Sequence, residues 1–172
     1  MNTLSIPITD LKKIIKLFNR KIGYFLLTFF CLYIDGESFA EKFKYNQLLI
    51  NVLMLIMFGV IYFRAVQRTR KLMLYSVIVG FLGEYFFSIL LNMYSYRLGN
   101  VPLYVPFGHA VIFARVYVFF KEPIVKKYQK QLERALYIVI SLFTLTYLYF
   151  FNDVFGFVMT LGVFVFLFKR SK

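Results

Sequence analysis

The stretch 83–115, GEYFFSILLNMYSYRLGNVPLYVPFGHAVIFAR, decides how this chain is read. It consists of two apolar spans joined by a short polar bend, with Glu84 inside the first and His109 and Arg115 inside the second. Ionisable groups in hydrocarbon are costly, and those that persist face a cavity or pair with one another. At about 1.5 Å of rise per residue, continuous helices on both sides of the bend put Glu84 and His109 roughly 12–17 Å below the membrane surface, where they can meet.

Composition supports a membrane setting. Of 172 residues, 60% are hydrophobic and 22% aromatic, with 23 Phe, 14 Tyr and no Trp. Apolar runs at this density point to a polytopic membrane protein of one domain, residues 1–172. The net charge of +13 does not point to nucleic acid. The basic residues fall in short clusters between apolar runs, and no basic face interleaved with aromatics lies outside them. Cys31 is the single cysteine, which rules out an internal disulfide or a thiolate metal cage. With one His in the chain, a metal site at Glu84 and His109 would lack ligands, and no cofactor motif is present.

The pattern predicts an all-α, six-helix integral membrane bundle with spans near 22–34, 45–63, 72–94, 101–120, 135–151 and 154–168. An amphipathic interfacial helix precedes it. In LKKIIKLFNRKI (11–22), Leu11, Ile14, Ile15, Phe18 and Ile22 share one face, and Lys12, Lys13, Lys16 and Arg20 fall largely on the other. The first span is short and extends into its neighbours or thins the bilayer. Asn51 and Gln47 share a face of the second span, a placement suited to bonding between helices. Asn152–Asp153 forms a tight bend before the last span.

Orientation follows from the basic residues. The N-terminal segment carries five Lys/Arg, loop 64–71 four, loop 121–134 five and the tail three, and six spans place all of them on one side. The other side keeps Lys42, Lys44 and Arg97 against Asp35, Glu37, Glu41 and Asp153. By the positive-inside rule both termini are cytoplasmic.

The candidate site grows from spacing on the third span. Glu84, Ser88, Asn92 and Tyr96 recur every four residues, a polar stripe that a helix would carry toward the outer bend. A lipid-facing stripe of this kind is penalised, so it is expected to face the bundle interior, with Gly80 and Gly83 giving close approach or room for a ligand. In the fourth span Pro106 disfavours a helical Val105, which predicts a kinked or unwound outer end. The residues assigned to chemistry are Glu84 and His109, and those assigned to ligand contact are Ser88, Asn92, Tyr96 and Arg115. The alternative is an internal clamp in which His109 or Arg115 neutralises Glu84 to fix helix register. Tyr94, Tyr96, Tyr104, Tyr128, Tyr147 and Tyr149 also fit interfacial belts. Serine or cysteine hydrolysis is disfavoured, since no nucleophile elbow accompanies Ser88.

VPLYVPFGHA (101–110) resembles a segment of small bacterial integral membrane proteins, which implies a polytopic helical fold in the bacterial inner membrane. The central stretch also resembles the lycopene cyclase and carotenoid hydratase membrane families. It shares with them a buried Glu, here Glu84, before a Tyr-x-Tyr, here Tyr94 and Tyr96, and a turn of the Val101, Pro102, Val105, Pro106 type. That likeness implies a carboxylic acid, Glu84, that protonates an isoprenoid double bond. The function expected is binding of a lipophilic, isoprenoid-like small molecule around Glu84 and His109, with acid-catalysed chemistry as its enzyme form. The alternatives are a transporter or substrate-binding subunit, similar in size to those of energy-coupling vitamin transporters, and a scaffold. The partners expected are the lipid bilayer, a lipophilic ligand, and a membrane-protein partner or a second copy.

Overall fold

The computed structural model describes residues 6–170. Residues 1–5 and 171–172, and the side chains of Lys21, Ile22, Tyr24, Phe25 and residues 168–170, lie outside the described residues, and with them part of the basic N-terminal segment and the basic tail. The described chain is helical, with no strand: α1 (Ile8–Asp35), α2 (Glu37–Ala40), α3 (Asn46–Arg64), α4 (Gln67–Glu84, continued as a π-helical turn Tyr85–Leu90), α5 (Tyr104–Lys121), α6 (Pro123–Lys127), α7 (Gln129–Phe151) and α8 (Val154–Arg170). Three segments are long and apolar enough to cross a membrane: Asn46–Arg64, Gln67–Leu90 and Gln129–Phe151. Leu26–Asp35 and Val154–Leu167 are apolar but shorter.

The chain divides into two compact units. The first comprises Met1–Asp10 with Pro123–Lys172. Here the start of α1 is tied to α6 and the residue after it. Asp10 accepts from the Tyr128 hydroxyl at 2.5 Å and from Lys127 at 3.1 Å. These two donors hold the Lys127 ammonium and the carboxylate together at an exposed edge, and the Tyr128 and Asp10 oxygens raise the Lys127 pKa. Between α7 and α8, Asn152 takes the left-handed conformation that ends a helix (φ 52°), and Asp153 Oδ1 accepts from the Gly156 amide at the start of α8. The expected tight bend is thus a C-cap followed at once by an N-cap. Thr144 and Thr160 hydrogen-bond across the pair at 3.2 Å.

The second unit, Leu11–Glu122, is built around α5. Its small residues Gly108, Ala110 and Ala114 are buried and let neighbours approach. Cys31 and Ile34 of α1, Ile50, Met54 and Ile61 of α3, and Met73 of α4 close on them. Gly108 shows how tight the packing is, because a Cβ there would already touch Met54 and Thr28 at 3.5 Å. Cys31 is one buried member of this core, in keeping with a packing role.

One expectation about helix continuity agrees with the structure and two about helix ends differ from it. The amphipathic segment 11–22 leads without a break into the first apolar run, the two forming the one helix α1. Nothing between Ile8 and Asp35 breaks a helix. Ile14 is buried, and Phe18 packs edge-on against Phe119 at 6.1 Å. The third span stops at Leu90 rather than Tyr94. The π turn closes with the Leu91 amide on Phe86 O and the Met93 amide on Phe87 O, while Asn92 turns left-handed at φ 49°. Val105 is helical, and α5 begins at Tyr104 and continues past Pro106 as one helix. Pro106 falls in the first turn, where backbone N–H groups have no intrahelical acceptor, so its missing donor costs nothing there. The irregular backbone lies before the helix, at Val101–Leu103.

Candidate functional site

The early end of α4 and the late start of α5 place Glu84 six residues before Leu90 and His109 five residues after Tyr104. Along a helix axis these are about 9 Å and about 7.5 Å, shallower than the depth expected from uninterrupted spans. The reason is that residues 91–103 are not helical. They fold back over the helix ends.

That return brings two tyrosines onto Glu84. The Tyr94 hydroxyl donates to Oε2 at 2.5 Å and the Tyr96 hydroxyl donates to the same oxygen at 2.7 Å. The other oxygen, Oε1, lies 2.9 Å from His109 Nε2. Glu84 is 12% exposed and His109 is 51% exposed, so the carboxylate sits behind the imidazole. No described residue hydrogen-bonds His109 Nδ1.

The two glycines of α4 differ in role. A Cβ on Gly80 would come within 3.3 Å of the His109 ring and 3.5 Å of Pro106 Cα, so Gly80 is what lets α4 and α5 approach at this level. A Cβ on Gly83 would meet nothing within 4 Å, which leaves open space one residue before Glu84.

The other expected site residues divide. Tyr96 reaches Glu84, but from a loop folding back rather than from a helical stripe. Ser88 is buried inside the π turn. Asn92 is exposed at the reversal, and its left-handed backbone accounts for an Asn there without any ligand. Arg115 lies six residues beyond His109 on α5, about 9 Å further along the axis, and Glu84 is bonded by Tyr94, Tyr96 and His109 instead. Tyr94, read as part of an interfacial belt, is a direct partner of the carboxylate. Desolvation and the hydrogen bond to Glu84 raise the Tyr96 pKa, so this phenol stays protonated as a donor.

A second polar cluster adjoins the first, and no spacing in the sequence disclosed it. Asp35, 5% exposed, ends α1. A carboxylate at a helix C-terminus faces the negative end of the dipole and needs compensation. Arg97 supplies it: Nε donates to the Asp35 carbonyl at 3.0 Å and Nη2 pairs with the carboxylate at 3.5 Å. The Tyr104 hydroxyl donates to Asp35 Oδ2 at 3.0 Å and the Gln47 amide to the same atom at 3.2 Å. Asn46 donates to the Ile34 carbonyl at 2.6 Å, satisfying another C-terminal acceptor of α1, and itself accepts from Arg97 at 2.9 Å. Asn51 accepts from the Tyr104 amide at 2.9 Å and caps α5 from a neighbouring helix, as Leu103 has no side chain to do so. Gln47 and Asn51 thus bond between helices, as their shared face implied. A single segment, 94–97, carries Tyr94 and Tyr96 to Glu84 and Arg97 to Asp35. It straps the two clusters together.

Among the described residues no group of three or more His, Cys, Asp or Glu side chains is placed to hold a metal ion. Comparison of the chain with family models, with curated proteins and with solved structures gives no match.

Proposed function

We propose that this chain is a six-span protein of the bacterial inner membrane, with both termini cytoplasmic, that binds a lipophilic small molecule at Glu84 and His109. One observation carries the binding reading. A carboxylate held by three hydrogen bonds backs a half-exposed imidazole whose second nitrogen has no described protein partner. A pair kept only to fix helix register is less economical than an apolar isostere, and it gains nothing from presenting one face outward. Both Glu84 oxygens already accept from donors, so its role is to orient His109, as an acidic partner orients a histidine base. The group that meets the ligand is His109. Any proton transfer at the site then runs through Nδ1, in place of direct protonation by Glu84.

His109 is the only histidine in the chain, so labelled imidazole nitrogens report this site alone. Purified protein is expected to carry a co-extracted lipophile detectable by native mass spectrometry, and His109→Phe to lose it while keeping its helical content. Wild-type protein free of any bound lipophile, and indifferent to added ones, would contradict the proposal.

The topology has its own test. A reporter active only in the cytoplasm should give signal when fused after Lys172 and none when fused after Asn100. Signal at Asn100 would overturn the six-span arrangement and the orientation drawn from the basic loops.

A further inference from the structure

We infer that the ligand is a lipid alcohol whose hydroxyl donates to His109 Nδ1, and this rests on the reading of Glu84 and His109 as a ligand site. The argument begins with protons. Glu84 Oε2 accepts from two phenol hydroxyls, and Oε1 faces His109 Nε2 at 2.9 Å. An ionised carboxylate offers acceptors only, so Nε2 must be the nitrogen that carries hydrogen. In the neutral imidazole the remaining nitrogen, Nδ1, is then an acceptor. The group that satisfies it must bring a donor. A hydroxyl does so; a ketone, an ether or an ester carbonyl does not.

Charge narrows the class further. A phosphate head would approach the Glu84 carboxylate, and the nearby cation, Arg97, is already engaged by Asp35 and Asn46. Like charges at this range are repelled, so a neutral head is favoured. Position completes the assignment. The site lies about 7–9 Å inside the helix ends, and open space beside Gly83 adjoins it. The exposed residues one turn away on the same helix faces, Phe81 beside Glu84 and Phe113 beside His109, are apolar. A molecule reaching His109 therefore keeps an apolar body in hydrocarbon and sets one hydroxyl just below the headgroup level. Isoprenoid alcohols and diacylglycerols share that chemistry.

The test uses full-length protein in phosphatidylcholine nanodiscs, with selectively labelled histidine. Geranylgeraniol, dioleoylglycerol and the methyl ether of each are titrated in while the His109 nitrogen shifts are followed. At least one alcohol is expected to move the Nδ1 resonance. Its ether should bind roughly fivefold to tenfold more weakly, the effect of one lost hydrogen bond. The alcohol that does so identifies the source. Glu84→Gln provides the second arm. Its amide turns its oxygen to the tyrosines and its NH2 to Nε2, which forces the hydrogen onto Nδ1. Nδ1 is then a donor, ethers become acceptable, and the discrimination should fall to within about twofold. Ethers that bind wild-type protein as tightly as alcohols would overturn the alcohol assignment and leave the site standing. Full discrimination retained in Glu84→Gln would overturn it as well. If none of the four probes moves His109, the ligand site itself is overturned with it.

Discussion

Asp35→Ala is expected to destabilise the purified protein by about 3–5 kcal/mol, the range for breaking a buried ion pair from one side. In a chain of this length that is a fall in Tm of roughly 6–20 °C. Arg97, 20% exposed, would lose its carboxylate partner, and the Tyr104 hydroxyl and Gln47 amide would lose a shared acceptor. Asp35→Asn separates the parts: it keeps an oxygen for Tyr104 but leaves the guanidinium without a counter-charge. Adding Arg97→Gln to Asp35→Asn should recover part of the loss, because the orphaned charge is gone. The damage should also spread. Arg97 anchors the same segment that delivers Tyr94 and Tyr96 to Glu84, so Asp35→Ala is expected to weaken ligand retention without touching the site. Thermal unfolding within about 1 kcal/mol of wild type would show that the latch does not hold the fold.

Glu84→Leu is expected to behave in the opposite way, with loss of ligand and a modest effect on stability. The comparison with Asp35 is one of exposure. Glu84 is 12% exposed, but its partners His109 and Tyr94 are 51% and 43% exposed, so both can find other partners when the carboxylate is gone. The cost should stay within about 2 kcal/mol, near that of leaving one or two polar groups less well satisfied. Binding should disappear, because an imidazole without its orienting carboxylate has no fixed tautomer or direction. Two measurements decide it: the Tm, and the amount of lipophile that survives purification. A clamp would show a stability loss matching that of Asp35→Ala, recovered in part by His109→Phe, with bound lipophile unchanged. That pattern would sink the functional reading.

The sequence by itself determined the helical, membrane-type character of the chain, because that follows from the local arrangement of apolar runs and basic loops. It also paired Glu84 with His109, since two ionisable groups in adjacent apolar segments have few other ways to be neutralised. It determined the roles of Gln47 and Asn51 for a similar reason. What it could not determine was where the helices of the central stretch end. The four-residue spacing of Glu84, Ser88, Asn92 and Tyr96 assumed one continuous helix, and a π turn with a left-handed Asn92 ended it at Leu90. Periodicity describes a helix only while the helix lasts.

The tertiary structure alone decided the partners that come from outside the period. Tyr94 became a donor to Glu84 because the chain reverses, whereas its place beside the bend suggested an interfacial ring. Asp35 looked like an acid in a loop. It is a buried helix end whose carbonyl and carboxylate are both met by Arg97, 62 residues away in sequence. No local pattern links the two, since the pairing depends on the desolvated C-terminus of α1 and the only basic side chain the strap brings to it. Charges that read as loop decoration in one dimension become obligatory partners once their backbone neighbours are buried and need acceptors and donors of their own.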